Sequence, residues 1–324
     1  MIGGKMKVFI TGGAGFIGSH LVDAHLQRGD KVTIIDNLST GRLRNIIHNR
    51  KNPNFKYFID TIINYPILEN LIKEHDLIYH LAAAVGVRNI IENPLESLKV
   101  NIKGTEYVLE LCNKYKKKIL MTSTSEIYGK SEKTPYSEND DRLLGSTYIT
   151  RWGYSCSKAV DEFLALAYYR EKKLQVIILR CFNTVGPRQT GDYGMVIPIF
   201  VKQALLGHPL TVYGDGKQTR CFSDVSDVVD GMMKLMESDK TIGEIFNIGN
   251  DEEISILDLA KKIKKMTNSK SPIEFIPYDK AYETGFEDMQ RRLPDLTKIN
   301  KFIGYKPKIK LNEMLQKIIN YYER

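Results

Sequence analysis

The sequence predicts an α/β fold, a doubly wound parallel sheet with a smaller mixed α/β domain attached, and three observations carry that expectation. Short apolar runs with little alternation recur through the first half of the chain. Amphipathic segments of helical period separate them. A glycine-rich turn follows the first run directly. Apolar runs joined by helices describe strands buried on both faces, which only a parallel sheet between two helical layers provides.

The strands are placed at "KVFIT" (7–11), "KVTIID" (31–36), "FKYFI" (55–59), "LIYHLA" (77–82), "KILMTS" (118–123) and "QVIILR" (175–180). Helices are placed at 17–29, 94–115 and 157–172, where apolar residues recur at helical spacing. From about residue 186 the rhythm changes. Gly and Pro become frequent ("VGPRQTGDYGMVIP", "GHPL", "YGDGKQ") and the apolar runs shorten. Residues 1–185 therefore read as a Rossmann-type dinucleotide-binding domain and 186–324 as a substrate-binding domain. The two interleave, because "EIFNIG" (244–249) reads as a strand returning to the main sheet.

At 324 residues the chain exceeds most single cores, in keeping with two domains. The 47 Lys and Arg exceed the 39 Asp and Glu, but the densest basic runs, 116–118 and 261–265, read as solvated helix faces. No nucleic-acid partner is expected. No apolar stretch approaches the roughly 20 residues of a membrane span, and no cleavable leader precedes the first strand. Cys112, Cys156, Cys181 and Cys221 are widely spaced and form no CxxC pair, so they are expected to be reduced, buried thiols of a cytoplasmic protein. No metal site is expected.

"ITGGAGFIGSH" places Gly12, Gly15 and Gly18 between the first strand and the first helix. Gly12 permits a tight turn, Gly15 lets a pyrophosphate approach the backbone, and Gly18 permits close packing of helix on sheet. The helix N-terminus adds partial positive charge. Asp36 ends the second strand 24 residues after Gly12, where a carboxylate accepts both ribose hydroxyls and repels a 2′-phosphate. NAD is favoured over NADP. Asp60, at the end of the third strand, is placed for the adenine edge.

Chemistry gathers at the carboxyl ends of such strands. "MTSTSE" ends the fifth run, presenting Thr124, Ser125 and Glu126, and Tyr154 lies one helical turn before Lys158. An ammonium beside a phenol lowers its pKa, so Tyr154 reads as the base and Lys158 as its electrostatic partner. Thr124 is placed to hydrogen-bond the same substrate hydroxyl. His80 and Cys156 read as packing residues, and Trp152 as either a pocket wall or packing.

With these residues, "DNLSTG", "HLAA", "NIKGT", "STSEIYG", "RCFNTVGPR", "LTVYGDGKQTRCF" and "RRLPD", the chain resembles the extended short-chain dehydrogenases/reductases that modify nucleotide sugars. The resemblance spans almost the whole length. It implies NAD that takes a hydride from sugar C4 and returns it, a UDP-sugar substrate, and a homodimer paired through the helices at 94–115 and 157–172. It adds Phe16, Ile17, Asn37, Leu81, Ala82 and Asn101 to the NAD site. It gives Asn183 and Arg220 to the nucleoside diphosphate, and 194–205, with Val196, to the nucleotide pocket.

Glu126 bears on the reaction. A 4-epimerase has no task for a carboxylate there, and 4,6-dehydratases carry Asp-Glu after the threonine. Thr-Ser-Glu, an aliphatic residue and Tyr-Gly resemble UDP-glucuronate decarboxylases, in which Glu126 would direct a proton to C5 or repel the substrate carboxylate. Arg292 would complete that site, with Arg291 as the fallback. UDP-sugar 4-epimerase and dehydratase readings stay open beside it, and a non-catalytic NAD sensor is the reading from another class.

Overall fold

The computed structural model describes residues 5–84, 93–191, 195–277 and 289–323. Seven parallel strands form the central sheet: β1 (Lys7–Thr11), β2 (Lys31–Ile35), β3 (Phe55–Phe58), β4 (Leu77–His80), β5 (Lys118–Thr124), β6 (Val176–Cys181) and β11 (Ile245–Ile248). Their order is β11-β6-β5-β4-β1-β2-β3. Val8 of β1 is in register with Val32 on one side and Leu77 on the other, so the strand order reverses between β1 and β4. A crevice at that switch point is where such sheets bind ligands.

Successive side chains of a strand point to opposite faces, and each face has its own core. Val8 and Ile10 pack with Leu21 and Val22 of α1 (Phe16–Arg28), while Phe9 packs on the other side with Leu68 of α2 (Tyr65–Glu74). Val108 and Leu109 of α3 (Pro94–Lys114) and Ala165 of α4 (Arg151–Lys172) complete that second layer. Burial of each such aliphatic side chain contributes about 1.5–3 kcal/mol. Helix α1 stops at Gly29, whose φ of 90° and N–H bonds to the His25 and Leu26 carbonyls close the last turn.

After β6 come β7 (Thr184–Val185), α5 (Val196–Leu206), β8 (Leu210–Tyr213), β9 (Thr219–Cys221), β10 (Ser223–Asp224) and α6 (Val225–Glu237). After β11 follow β12 (Glu253–Ser255), α7 (Ile256–Met266), β13 (Ile273–Ile276), α8 (Thr297–Ile303) and α9 (Leu311–Tyr322). A third core joins Phe200 and Val201 of α5, Leu210 of β8, Leu259 of α7 and Leu315 of α9. The C-terminal half returns to the main sheet more often than the pattern at 244–249 suggested. Val228 and Met232 of α6 and Ile299 of α8 pack in the same cluster as Val8 and Ile10.

Strand positions follow the apolar runs to within two residues at each end. In the first half of the chain two helices do not follow the sequence reading: α2 went unmarked there, and α4 begins at Arg151 rather than 157; the helices after residue 186 were not placed individually. The cysteines also differ. Cys112 and Cys221 are buried, but Cys181 is half-buried and Cys156 is exposed on α4. No described helix is long and apolar enough to cross a membrane, and no described cluster of His, Cys, Asp or Glu could hold a metal ion.

A buried ion pair ties β6 to α4. Arg180 donates from Nε and one terminal nitrogen to the two carboxylate oxygens of Glu162 at 2.9 and 2.7 Å. Its other terminal nitrogen donates to the Tyr128 hydroxyl and the Glu138 carbonyl. Removing one partner strands the other charge in the interior. Arg180→Gln is therefore expected to cost about 3–5 kcal/mol of stability, read as a lower urea midpoint.

Candidate active site

A cavity of about 630 Å³ opens along the carboxyl ends of the central strands. Its floor is the glycine turn. Gly12 has φ of 72°, and a Cβ there would lie 2.8 Å from the Ala82 amide nitrogen. A Cβ on Gly18 would lie 2.2 Å from the Gly12 carbonyl oxygen, so helix and turn touch only because both are glycine. Phe16, Ile17, Leu81 and Ala82 line the same end. Asp36 stands just beyond β2 and accepts from the Leu38 and Ala14 amides at 2.8 and 2.9 Å. Burial pushes its carboxyl above the ordinary range, and those backbone bonds oppose the push.

Asn37 and Asp60 also line this end, Asp60 accepting from the Thr61 amide and the Asn64 side chain. Asn101 does not line the cavity. It is buried, accepts from the Ala84 amide at 2.7 Å, and braces the chain after β4. His80 is likewise structural. Its ring links Thr11 and Thr105, and burial takes its pKa down to about 3, so it is neutral.

At the other end, β5 runs into a single 3-10 turn, Ser125–Tyr128, which delivers Ser125 and Glu126 to the cavity wall. Thr124 accepts from the Glu126 amide at 3.2 Å and hydrogen-bonds the Tyr154 phenol. Tyr154 and Lys158 face the cavity from one side of α4. The expected lowering of the phenol by Lys158 is not what this state shows. Lys158 Nζ donates to Asp161 at 2.9 Å, with both side chains buried, so its charge is matched locally. Burial, then Glu126 and Cys181, push the phenol above its ordinary range.

Glu126 is held between two guanidiniums. Arg292 donates to one carboxylate oxygen at 2.7 Å, and Arg151 reaches both oxygens at 3.3 and 3.2 Å. Burial raises the carboxyl pKa, but Arg292 and Arg151 overcome it and hold it down at about 2. Glu126 is thus a carboxylate at neutral pH, paired to both guanidiniums. Arg292 is placed by its neighbours: Tyr136 donates its amide to the Leu293 carbonyl and accepts from the Asp295 amide, both at 2.8 Å. Arg291 turns outward instead, to Glu253 at 2.6 Å, and is half exposed. It does not join the site.

The remaining wall carries Asn183, Val196 and Arg220. Asn183 donates to the Cys221 carbonyl at 3.0 Å, and Arg220 to the Thr219 and Gln290 carbonyls at 2.8 and 3.4 Å. Gly194, the first residue of the expected nucleotide-pocket segment, lies outside the described residues.

A family model described as GDP-mannose 4,6 dehydratase matches residues 9–318. The chain belongs to this family of extended short-chain dehydrogenases/reductases. It is 41% identical, over 98% of both chains, to a UDP-N-acetyl-α-D-glucosaminuronate decarboxylase of Bacillus cytotoxicus. It is 40% identical to UDP-glucuronic acid decarboxylase 4 of Arabidopsis thaliana, over 96% of this chain and 67% of that one. Among solved structures it resembles a UDP-glucuronic acid 4-epimerase from Bacillus cereus in complex with UDP-glucuronic acid and NAD. That match has a TM-score of 0.88 and 31% identity, covering 98% of this chain and 99% of the other.

Within the family frame, the glycine cradle, the N-terminus of α1 and the acidic Asp36 suit the pyrophosphate and ribose of NAD. Sequence reasoning did not single out Arg151 or Asp161. Both were within reach: Arg151 lies three residues before Tyr154 and Asp161 three after Lys158, spacings that share a helix face. Gly18→Ala forces a methyl group onto a backbone carbonyl, which cannot give way. Bound NAD, measured by chromatography after denaturation, is expected to fall by about tenfold or more.

Proposed function

We propose that the protein is an NAD-dependent UDP-hexuronate decarboxylase, acting first on UDP-glucuronate through a 4-keto sugar. The observation that carries this reading is the Glu126–Arg292 pair beside Tyr154 at the end of β5. The full-length similarity to two decarboxylases supports it. NAD, held by the glycine turn and Asp36, supplies hydride acceptance at C4 and its return.

The side chains do the rest. Tyr154 takes the C4 hydroxyl proton, with Thr124 bonded to the same oxygen. Lys158 holds the nicotinamide ribose and is paired with Asp161. A ketone at C4 makes the C5 carboxylate a β-keto acid. The bond from C5 to the carboxyl carbon then breaks, CO2 leaves, and the bonding pair passes to the C4 oxygen as an enolate. C5 then takes a proton from water, and the hydride returned to C4 with the proton returned by Tyr154 gives the pentose. Tyr154 and Thr124 are the hydroxyl donors facing that oxygen. Asn183 and Arg220 hold the UDP diphosphate, Arg220 as a planar fork. The four free cysteines suit a reducing compartment, the cytoplasm.

A 4-epimerase is the second reading, favoured by the likeness to the Bacillus cereus enzyme. Proton NMR of the protein with NAD and UDP-glucuronate decides between them. Loss of CO2 with formation of UDP-xylose or its 4-keto precursor is expected; UDP-galacturonate with its carboxylate intact overturns the decarboxylase reading. The 2-acetamido analogue, run in parallel, identifies the C2 substituent. Tyr154→Phe is expected to lower turnover by about 10²–10⁴-fold while NAD is retained; unchanged turnover would take the role of base from Tyr154, and no turnover in the parent would leave the sensor reading.

We read the outer face of α3 and α4 as a homodimer surface. The two helices pack on each other and leave Leu95 65%, Val160 40% and Phe163 67% exposed. Large apolar groups at that exposure suit a four-helix interface. Phe163→Glu is expected to halve the mass seen by light scattering; an unchanged mass places the interface elsewhere.

A further inference from the structure

The proposed reaction uses Tyr154 as a base, and an unmatched ammonium one helical turn away would make its phenol readily ionised. Lys158 is not unmatched. Its Nζ donates to Asp161 at 2.9 Å, and the two side chains are 3% and 0% exposed. Lys158 lines the cavity, whereas Asp161 is fully buried behind it and lies outside the cavity lining. The acid therefore acts on the cavity through the lysine. Its Oδ1 is buried with no hydrogen-bond partner among the described residues, which leaves the Lys158 ammonium as the main compensation for this charge.

The other groups around Tyr154 and Lys158 are fixed in charge through the neutral range. In the turn after β5, burial raises the Glu126 carboxyl, but Arg292 and Arg151 hold it at about 2, so it is ionised. From β6, burial pushes the Cys181 thiol up to about 12, so it keeps its proton. From β4, burial takes His80 down to about 3, so it is neutral. On α4 itself, Glu162 is spent on Arg180 and on the Ser123 hydroxyl. Helix α3 presents the uncharged Thr105 beside Asp161 and the uncharged Asn101 to Ser157. The Lys158–Asp161 pair is thus the charged element whose balance sets the phenol.

We propose that Asp161 is a positioning residue for the base: by matching Lys158 from behind the cavity wall, it delays ionisation of Tyr154 to a higher pH than a free ammonium would allow. The inference rests on Tyr154 as the base of C4 oxidation, and it holds equally for a decarboxylase and a 4-epimerase. Its use in the reaction follows from the two tasks of the phenol. Tyr154 takes a proton from the C4 hydroxyl and later returns one to the C4 oxygen. A phenol made very acidic by an unmatched ammonium is a weak acceptor in the first of these steps.

The test uses NAD-loaded protein, with the ultraviolet absorbance of tyrosinate followed against pH. The step present in the parent and absent from Tyr154→Phe belongs to Tyr154. Asp161→Asn removes a negative charge and frees the ammonium, both of which favour the phenolate. It is expected to move that step lower by about one pH unit, and the acid limb of UDP-glucuronate turnover with it. A step that stays in place or moves higher overturns the inference, as does turnover that falls equally at every pH, which a purely structural role predicts. If Asp161→Asn does not fold, Asp161→Asn combined with Lys158→Met removes both charges together, which a buried pair tolerates better than the loss of one partner. Its Tyr154 step is expected to stay close to the parent's. A step raised by about one pH unit or more shows that Lys158 acted on the phenol unmatched, and overturns the inference. A parent with the same titration and the same turnover as Tyr154→Phe contradicts the underlying reading of Tyr154 as the base, whereas an unmoved step in Asp161→Asn contradicts this inference alone.

Discussion

One half-buried carboxylate organises the candidate site. Glu126 leaves the end of β5, Arg151 opens α4, and Arg292 arrives from the far C-terminal segment, so three stretches distant in sequence meet at a single group. Desolvating these charges is costly, and the cost is offset only because each finds a partner with hydrogen-bonding geometry. The pairing keeps Glu126 ionised. A carboxylate held this way orients cations and shapes the local field.

The fold makes the meeting possible. The reversal of strand order between β1 and β4 opens the crevice, and the glycine turn closes its floor tightly enough for a helix N-terminus to face it. The C-terminal half does more than cap this crevice. Helices α6 and α8 and strand β11 pack into the main sheet, while the segment carrying Arg292 is pinned to Tyr136 through paired backbone bonds. Tyr136 in turn stacks, with ring centroids 4.6 Å apart, on Tyr128, the last residue of the turn that presents Glu126.

What was legible in the sequence was local. Apolar runs locate the strands because each strand is buried on both faces. The glycine turn, Asp36, Tyr154 and Lys158 are legible because their spacing is their function. Arg151 was not, because α4 begins without a sequence signal. Thr150 makes no side-chain capping bond, no acid lies in the first turn, and Gly153 interrupts it. The Lys158–Asp161 pair was overlooked for a different reason: a charged side chain one turn away reads as a solvated neighbour until burial is known. Cys156 failed in the opposite sense: two residues from both Tyr154 and Lys158, with about 3.6 residues per turn, it lies on the far side of the helix, and that side is open rather than packed. Arg291 and Arg292 are adjacent and chemically identical in the sequence, and only the backbone bridge to Tyr136 decides which one turns inward.

The central claim is that Glu126 stays a carboxylate between two guanidiniums. The measurement that tests it most directly is the carbon-13 shift of its side-chain carboxyl, assigned against Glu126→Gln and followed from pH 7 down to pH 4. Its pKa is depressed to about 2, so ionisation should persist throughout, and the account predicts no titration step in that window. A step between pH 4 and pH 7 would show a group able to hold a proton during turnover, and would contradict the account.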